Sequence, residues 1–247
     1  MSPKYKAEKI VPYNQQESKT KQIERMFDSI AHSYDQLNIA FSMGIDRFWR
    51  RWALNSINPY APKRMLDVAT GTADLAILEA KRLHPEQIVG IDLSEGMLAV
   101  GRSKVKRAGL DSVVELHCAD CLQLPFEDNS FDAITVAFGV RNFENLEKGF
   151  SEMYRVLKPS GVLLVLELST PTRFPMKQLY HFYASTVIPF FGSLVSKDKS
   201  AYTYLNKSVN VVPQGEEMLE IFRRVGFQQT RFSRYTFGIC TNYMGFK

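Results

Sequence analysis

Cysteine is scarce in this chain, three in 247 residues. So small and odd a number argues against a disulfide framework as the source of stability. The opening stretch "MSPKYKAEKIVPYNQQ" has no apolar run, so no secretory signal is expected and a reducing cytoplasm is the expected compartment. No segment is repeated or low in complexity, which argues against solenoids and disordered tails. A surplus of acid is missing too: the net charge is +5 and the pI about 9.0. That basic balance is compatible with nucleic acid, with an anionic membrane surface or with a merely solvated face, and does not choose among them. Part of it is local, since Lys4, Lys6, Lys9, Lys19, Lys21 and Arg25 outnumber Glu8, Glu17 and Glu24.

What is present suits one well-cored domain: 45% of the residues are hydrophobic and 23% charged. From Arg64 onward, short apolar runs ("RMLDVA", "QIVGIDL", "VVELHCA", "FDAITVAF", "GVLLVLEL") alternate with helix-like stretches at Thr72 to Leu83, Glu95 to Ala108 and Leu146 to Leu157. Lys158-Pro159-Ser160-Gly161 is expected to stop the last of these. Such alternation predicts an α/β fold with a doubly wound parallel sheet. A helix over Gly215 to Val225 then precedes "FQQTRFSRY" and "TFGICTNYMGF", close enough to form an antiparallel hairpin at the sheet edge. The whole of 1–247 is expected to be a single domain. It carries a helical extension over 18–57, where Ile23, Met26, Phe27, Ile30, Ala31 and Tyr34 keep helical spacing, and an insertion over 170–213.

The first strand ends in "DVATGTAD", where small residues let a ligand approach the backbone and a helix N-terminus offers unpaired N–H groups. A dinucleotide site needs three glycines, and this turn has Gly71 alone; Asp67 and Asp74 would repel a pyrophosphate. An acidic rim suits a ligand with cationic groups in place of phosphates, and S-adenosylmethionine is such a ligand. Asp92, ending the second strand, can take both hydroxyls of a ribose. Asp120, after the third, can accept from the adenine amino group while the N–H of Cys121 donates to the ring. Taken singly, a plain tight turn and a solvated loop acid remain alternatives; three acids ending three successive strands are more specific. Cys118 and Cys121 form C-x-x-C, but neither two further zinc ligands nor a helix start at the motif is evident, and no metal is expected.

Three longer stretches carry a family resemblance: "YDQLNIAFSMGIDRFW" (Tyr34–Trp49), "LPFEDNSFDAITVAFGVRNF" (Leu124–Phe143) and "RVLKPSGVLLVLELS" (Arg155–Ser169). Through them the chain, from about Lys21 to Lys247, resembles the quinone-biosynthesis C-methyltransferases. The resemblance implies a class I, Rossmann-like S-adenosylmethionine-dependent methyltransferase. It implies Thr72, Asp92, Asp120 and Cys121 as cofactor residues, to which the turn adds Asp67 and Gly71. The implied substrate is a polyprenyl hydroquinone, demethylmenaquinol being favoured by "GTADL" and a benzoquinol the alternative. Asp46 stands where the family usually has histidine, Leu37 replaces a methionine, Ser160 a glycine, and Ala137 a serine of some members.

A ring carbon becomes nucleophilic when the hydroxyl beside it ionises. For a phenol of pKa near 10, that costs roughly 4 kcal/mol at pH 7. Arg141 and Asn142 follow the fourth strand directly, so Arg141 is expected to stabilise the phenolate and Asn142 to donate to it. Tyr34 is expected to close the site. Arginine is a poor proton acceptor, which leaves water, a carboxylate or a histidine such as His181 as the base. A structural salt bridge is the other reading of Arg141. Residues 178–196 contain no Lys, Arg, Asp or Glu, yet a span there would separate the last strands from their sheet. Met176, Leu179, Tyr180, Tyr183, Val187, Phe190, Phe191 and Leu194 keep helical spacing, as in a lid over an apolar substrate, an interfacial helix or a core helix. Peripheral contact with the inner face of a membrane and a homodimer are both left open. A nucleic-acid methyltransferase is disfavoured, since "AFGVRN" is no N-P-P-Y-type motif and no Pro-Cys nucleophile occurs. A cofactor-binding scaffold without catalysis is the third reading.

Overall fold

The computed structural model describes residues 3–13, 16–183, 186 and 199–247. Helices α1 (Lys6–Lys9), α2 (Lys19–Ile30), α3 (Tyr34–Ser42) and α4 (Asp46–Ile57) precede the first strand, β1 (Arg64–Val68). There follow α5 (Asp74–Leu83), β2 (Gln87–Asp92), α6 (Glu95–Arg107), β3 (Val114–Cys118) and β4 (Phe131–Ala137). After these come α7 (Leu146–Val156), β5 (Leu157–Leu168), α8 (Met176–Phe182), α9 (Lys199–Val211), α10 (Glu216–Val225), β6 (Gln228–Tyr235) and β7 (Cys240–Phe246). The seven strands form one sheet in the order β3-β2-β1-β4-β5-β7-β6. β1 to β5 are parallel, and β7 enters antiparallel between β5 and the edge strand β6.

The two faces follow from the pleat. In β1, Leu66 and Val68 join Phe150 and Met153 of α7 and Phe222 of α10 on one face. Met65 points the other way, to Trp49, Ala53 and Leu54 of α4, Leu75 and Ala76 of α5 and Leu98 of α6. Helix α4 is therefore no appendage, as its place in the 18–57 extension suggested. Its fully buried Ala53, Leu54 and Ile57 complete one layer of the core.

Helix starts are set by side-chain caps: Ser94 accepts from the Met97 N–H at 3.1 Å, and Asn145 from the Lys148 N–H at 2.9 Å. One boundary differs from expectation. The helix before "KPSG" stops at Val156, and strand pairing begins at once, Phe131 opposite Leu157, then slips to Ala133 opposite Val162. The loop residues are accommodated as an irregularity inside β5, with Ser160 at φ +65 and its N–H on the Lys247 carbonyl at 2.9 Å.

The strand order reverses between β1 and β4. Connections leave those two strands in opposite directions, opening a crevice at their carboxyl ends. Gly139, just past β4, keeps the crevice open: a Cβ there would lie 2.6 Å from that of Ala69.

Candidate active site

The turn after β1 is locked by hydrogen bonds to its neighbours. Ala69 and Gly71 both take positive φ, +55 and +57. The Thr70 N–H reaches the Ile91 carbonyl at 2.9 Å, and the Gly71 N–H reaches Asp92 Oδ2 at 2.8 Å. Asp92 Oδ1 accepts the Ser94 N–H at 3.0 Å. Burial raises the Asp92 pKa, and these N–H groups oppose the rise. Each oxygen accepts one protein donor and keeps a lone pair for a ligand hydroxyl.

A cleft of about 710 Å³ opens beside this turn. Gly71, Asp92, Asp120, Cys121, Asn142 and Tyr34 line it, with Ile23, Phe27, Met97 and Phe143 supplying apolar walls. Four carboxylates reach it, Glu24, Asp92, Asp120 and Glu144, and none of its lining residues is a lysine or arginine. An acidic cleft that holds no cation rejects pyrophosphate and favours a ligand that brings positive charge, which fits S-adenosylmethionine. Asp120 holds its own turn, Oδ1 accepting the Leu122 N–H at 2.9 Å. Burial, then the Asp120 charge, pushes the Cys121 thiol well up, so it stays neutral.

Two residues expected on the ligand wall have their side chains elsewhere. Thr72 donates its hydroxyl to Asp35 Oδ1 at 2.6 Å and accepts from Lys104 Nζ at 3.2 Å, inside a network that also joins Lys104 to Asp35 and Asp74. Asp67 lies beneath the turn, fully covered, accepting from Thr70 Oγ1 at 2.6 Å. Burial raises its pKa and that of Glu79 on α5, whose two carboxylate oxygens are buried without a partner among the described residues.

A second cavity, of about 740 Å³, adjoins the cleft and shares Tyr34 and Phe138 with it. Aromatic Trp49, Tyr180 and Tyr183 line it together with Asp46, Arg50 and Arg141. Arg141 is buried, and its Nη1 donates to Glu167 Oε1 at 2.6 Å and to the Phe138 carbonyl at 2.5 Å. Its backbone N–H also reaches Glu167, at 3.2 Å. Burial works against the guanidinium charge, but the Glu167 carboxylate outweighs it and raises the pKa. The arginine is thus both salt-bridged and on the cavity wall, and its Nε has no partner among the described residues. Asp46 pairs with Arg50 and accepts the Ser42 hydroxyl at 2.7 Å.

Asn142 faces the cleft and not the second cavity, because the buried Tyr204 hydroxyl donates to its Oδ1 at 3.0 Å and fixes the amide. His181 is exposed on α8 and lines neither cavity, which removes the histidine considered as a base. Of the insertion's helical stripe, Val187, Phe190, Phe191 and Leu194 lie outside the described residues.

The N-terminal helices close the cleft through residues that no motif marks. Asp28 of α2 accepts the Ser94 hydroxyl at 2.6 Å and the Gly96 N–H at 3.0 Å, capping α6 from outside. Lys19 is buried and donates to the carbonyls of Ala7 at 2.7 Å and Arg141 at 3.0 Å. Burial lowers its pKa to about 7. Thr20 bonds Glu144 through N–H and hydroxyl, at 3.0 and 2.5 Å.

The profile of the ubiE/COQ5 methyltransferase family matches residues 15–247. A demethylmenaquinone methyltransferase of Bacteroides fragilis is 56% identical over 98% of this chain and 99% of its own length. A ubiquinone/menaquinone biosynthesis C-methyltransferase UbiE of Geotalea daltonii is 46% identical over 93% of this chain and 97% of its own. Among solved structures, the [4+2]-cyclase SpnF superposes with a TM-score of 0.68 at 18% identity, covering 92% of this chain and 96% of that one. That last likeness concerns the fold alone, since one scaffold hosts many chemistries.

Proposed function

The chain belongs to the ubiE/COQ5 methyltransferase family, and from that premise we propose that it methylates a ring carbon of a polyprenyl hydroquinone, demethylmenaquinol giving menaquinol. It is an S-adenosylmethionine-dependent C-methyltransferase. The observation that carries the site assignment is the pairing of cavities: an acidic cleft without a cation opens, at Tyr34 and Phe138, onto an aromatic cavity walled by Arg141. S-adenosylmethionine supplies an electrophilic methyl group on a sulfonium. Asp92 and Asp120 would hold its ribose and adenine, with Gly71 and Cys121 offering backbone beside them. Asp67 and Thr72 act from behind, fixing the turn.

Our assignment gives the protein's residues distinct tasks at the acceptor. Trp49 and Phe138, on the walls of the second cavity, hold the quinol ring flat and keep water away from it, and Tyr180 and Tyr183 meet the start of the tail. Arg141 stabilises the phenolate as it forms, held in place by Glu167, and the Asn142 amide positions the methyl end. Tyr34, common to both cavities, covers the junction. Asp46 is the carboxylate on the wall of the second cavity, and we assign it the hydrogen bond from the substrate hydroxyl and then its proton. A carboxylate is in general a far weaker base than a phenolate, so the stabilised phenolate and not the acceptor must provide most of the driving force.

A polyprenyl tail belongs in a bilayer, so peripheral contact with the inner face of a membrane goes with this reading. No helix among the described residues is long and apolar enough to cross one. The test offers labelled cofactor to short-tailed demethylmenaquinol, to the corresponding benzoquinol and to total RNA. Methylation of the first at the highest kcat/KM supports the proposal. A preference for the benzoquinol would shift the substrate, and label in RNA alone would overturn the reading.

A further inference from the structure

The residues that line the second cavity alternate along the chain with large apolar side chains that face solvent. On α4, Trp49 points in while Phe48 and Trp52 are exposed; on α8, Tyr180 points in while Leu179 and Phe182 are exposed. After β6, Ile239 points in, and Phe237, two residues earlier, is 77% exposed. Phe174, on the connection leading to α8, is 82% exposed. These elements touch. Phe48 and Trp52 have ring centroids 6.4 Å apart, Trp52 and Tyr235 5.5 Å, and Trp49 Nε1 donates to Thr236 Oγ1 at 2.7 Å. The Ser169 hydroxyl, where β5 leads into the insertion, bonds the Gly238 carbonyl at 2.8 Å. Exposed aromatics thus rim the aromatic cavity.

The charge around this rim is mainly positive; Asp35, between the cavity-lining Tyr34 and Asn38, and Asp74 beside it are both paired with Lys104. Segments 39–52, 170–183 and 232–240 hold a single acidic residue, Asp46, buried against Arg50. The same segments expose Arg47, Arg51, Arg173, Lys177 and Arg234, none of them in an ion pair among the described residues. Aromatic side chains beside unpaired cations match the headgroup layer of an anionic membrane, where the rings sit at the interface and the cations meet phosphates.

We propose that this face docks on an anionic phospholipid bilayer, setting the mouth of the second cavity against the lipid. The inference deepens the assignment above by naming the surface and the lipid charge it needs. It rests on that reading only for the apolar tail that would pass through the mouth. A protein partner would need a matching acidic surface with apolar pockets, and nothing in the fold calls for one.

Sedimentation with vesicles tests this, using phosphatidylcholine alone and phosphatidylcholine mixed with phosphatidylglycerol. Partition of the wild type should rise steeply with phosphatidylglycerol and fall with salt. The double variant Arg47→Gln/Arg51→Gln should lower it at least about tenfold. Phe237→Ser, at an exposed position that leaves the core intact, should weaken binding as well. Both variants should keep wild-type turnover of a tail-less soluble quinol without vesicles, a readout that reports on the methyl-transfer assignment separately. Equal partition onto both vesicle types, or none, would overturn the proposal. So would a wild-type dimer in analytical ultracentrifugation that Phe237→Ser converts to monomer, because the face would then belong to a second copy of this chain.

Discussion

At the scale of single residues, the decisive pair is Arg141 and Glu167. Removing one partner of a buried ion pair strands the other, at a cost of about 3–5 kcal/mol. Arg141→Gln should therefore lose both stability and kcat, while Arg141→Gln/Glu167→Gln should regain much of the melting temperature without regaining turnover. Recovery of turnover with stability would make the arginine structural only. Asp46→Asn separates a different step. It should lower kcat and leave cofactor affinity unchanged, and the loss should shrink for quinols with a more acidic hydroxyl. A uniform loss across substrates would remove Asp46 from proton transfer. Arg141 was legible in the sequence because it follows a strand end. Its partner was not, because Glu167 reads as one more residue of the apolar run "GVLLVLEL" and only the β4–β5 pairing brings the two together. Glu24 and Glu144 escaped for the same reason: neither ends a strand, and both reach the cleft through packing of α2.

At the scale of elements, helix α5 carries an unexplained expense in Glu79, whose carboxyl is buried against the turn with Asp67 nearby. Its pKa is raised, so the folded state keeps a proton that the unfolded chain loses near pH 4.3, about the value of a free glutamate. Between that pH and the raised folded value the native state binds more protons, and stability falls as pH increases. Glu79→Gln removes this titration. The variant and wild type should have similar urea midpoints near pH 4.5, and the variant should gain on the wild type as the pH is raised from there. A constant gap would place the charge elsewhere. Helix α8 invites a second test. Tyr180→Ser/Tyr183→Ser should raise KM for long-tailed quinols more than for tail-less ones, since each buried CH₂ contributes about 0.8 kcal/mol. An equal rise for both would mean that these tyrosines hold the ring or the fold and not the tail. Helix α4 shows the limit of pattern reading: it falls in the 18–57 extension that reads as helical, but only its packing on the sheet tells that it belongs to the core.

At the scale of the whole molecule, the parallel strands and their helices were legible because each strand is a short apolar run closed by turn chemistry. The insertion of β7 between β5 and β6 was not, since a hairpin reads the same whichever of its strands is outermost. The direction of the Thr72 and Asp67 side chains was hidden too, because it depends on Lys104 and Asp35 from distant helices and on the covering of β1. The whole fold brings an acidic cleft and an aromatic cavity together at Tyr34 and Phe138, the junction at which our proposal has a ring carbon meet the methyl donor. The measurement that tests this most directly uses cofactor labelled with ¹³C on the methyl group and a short-tailed demethylmenaquinol, with the product read by NMR. The account predicts that the label lies on the ring carbon beside the hydroxyl. Label on the hydroxyl oxygen, as a methyl ether, would contradict it.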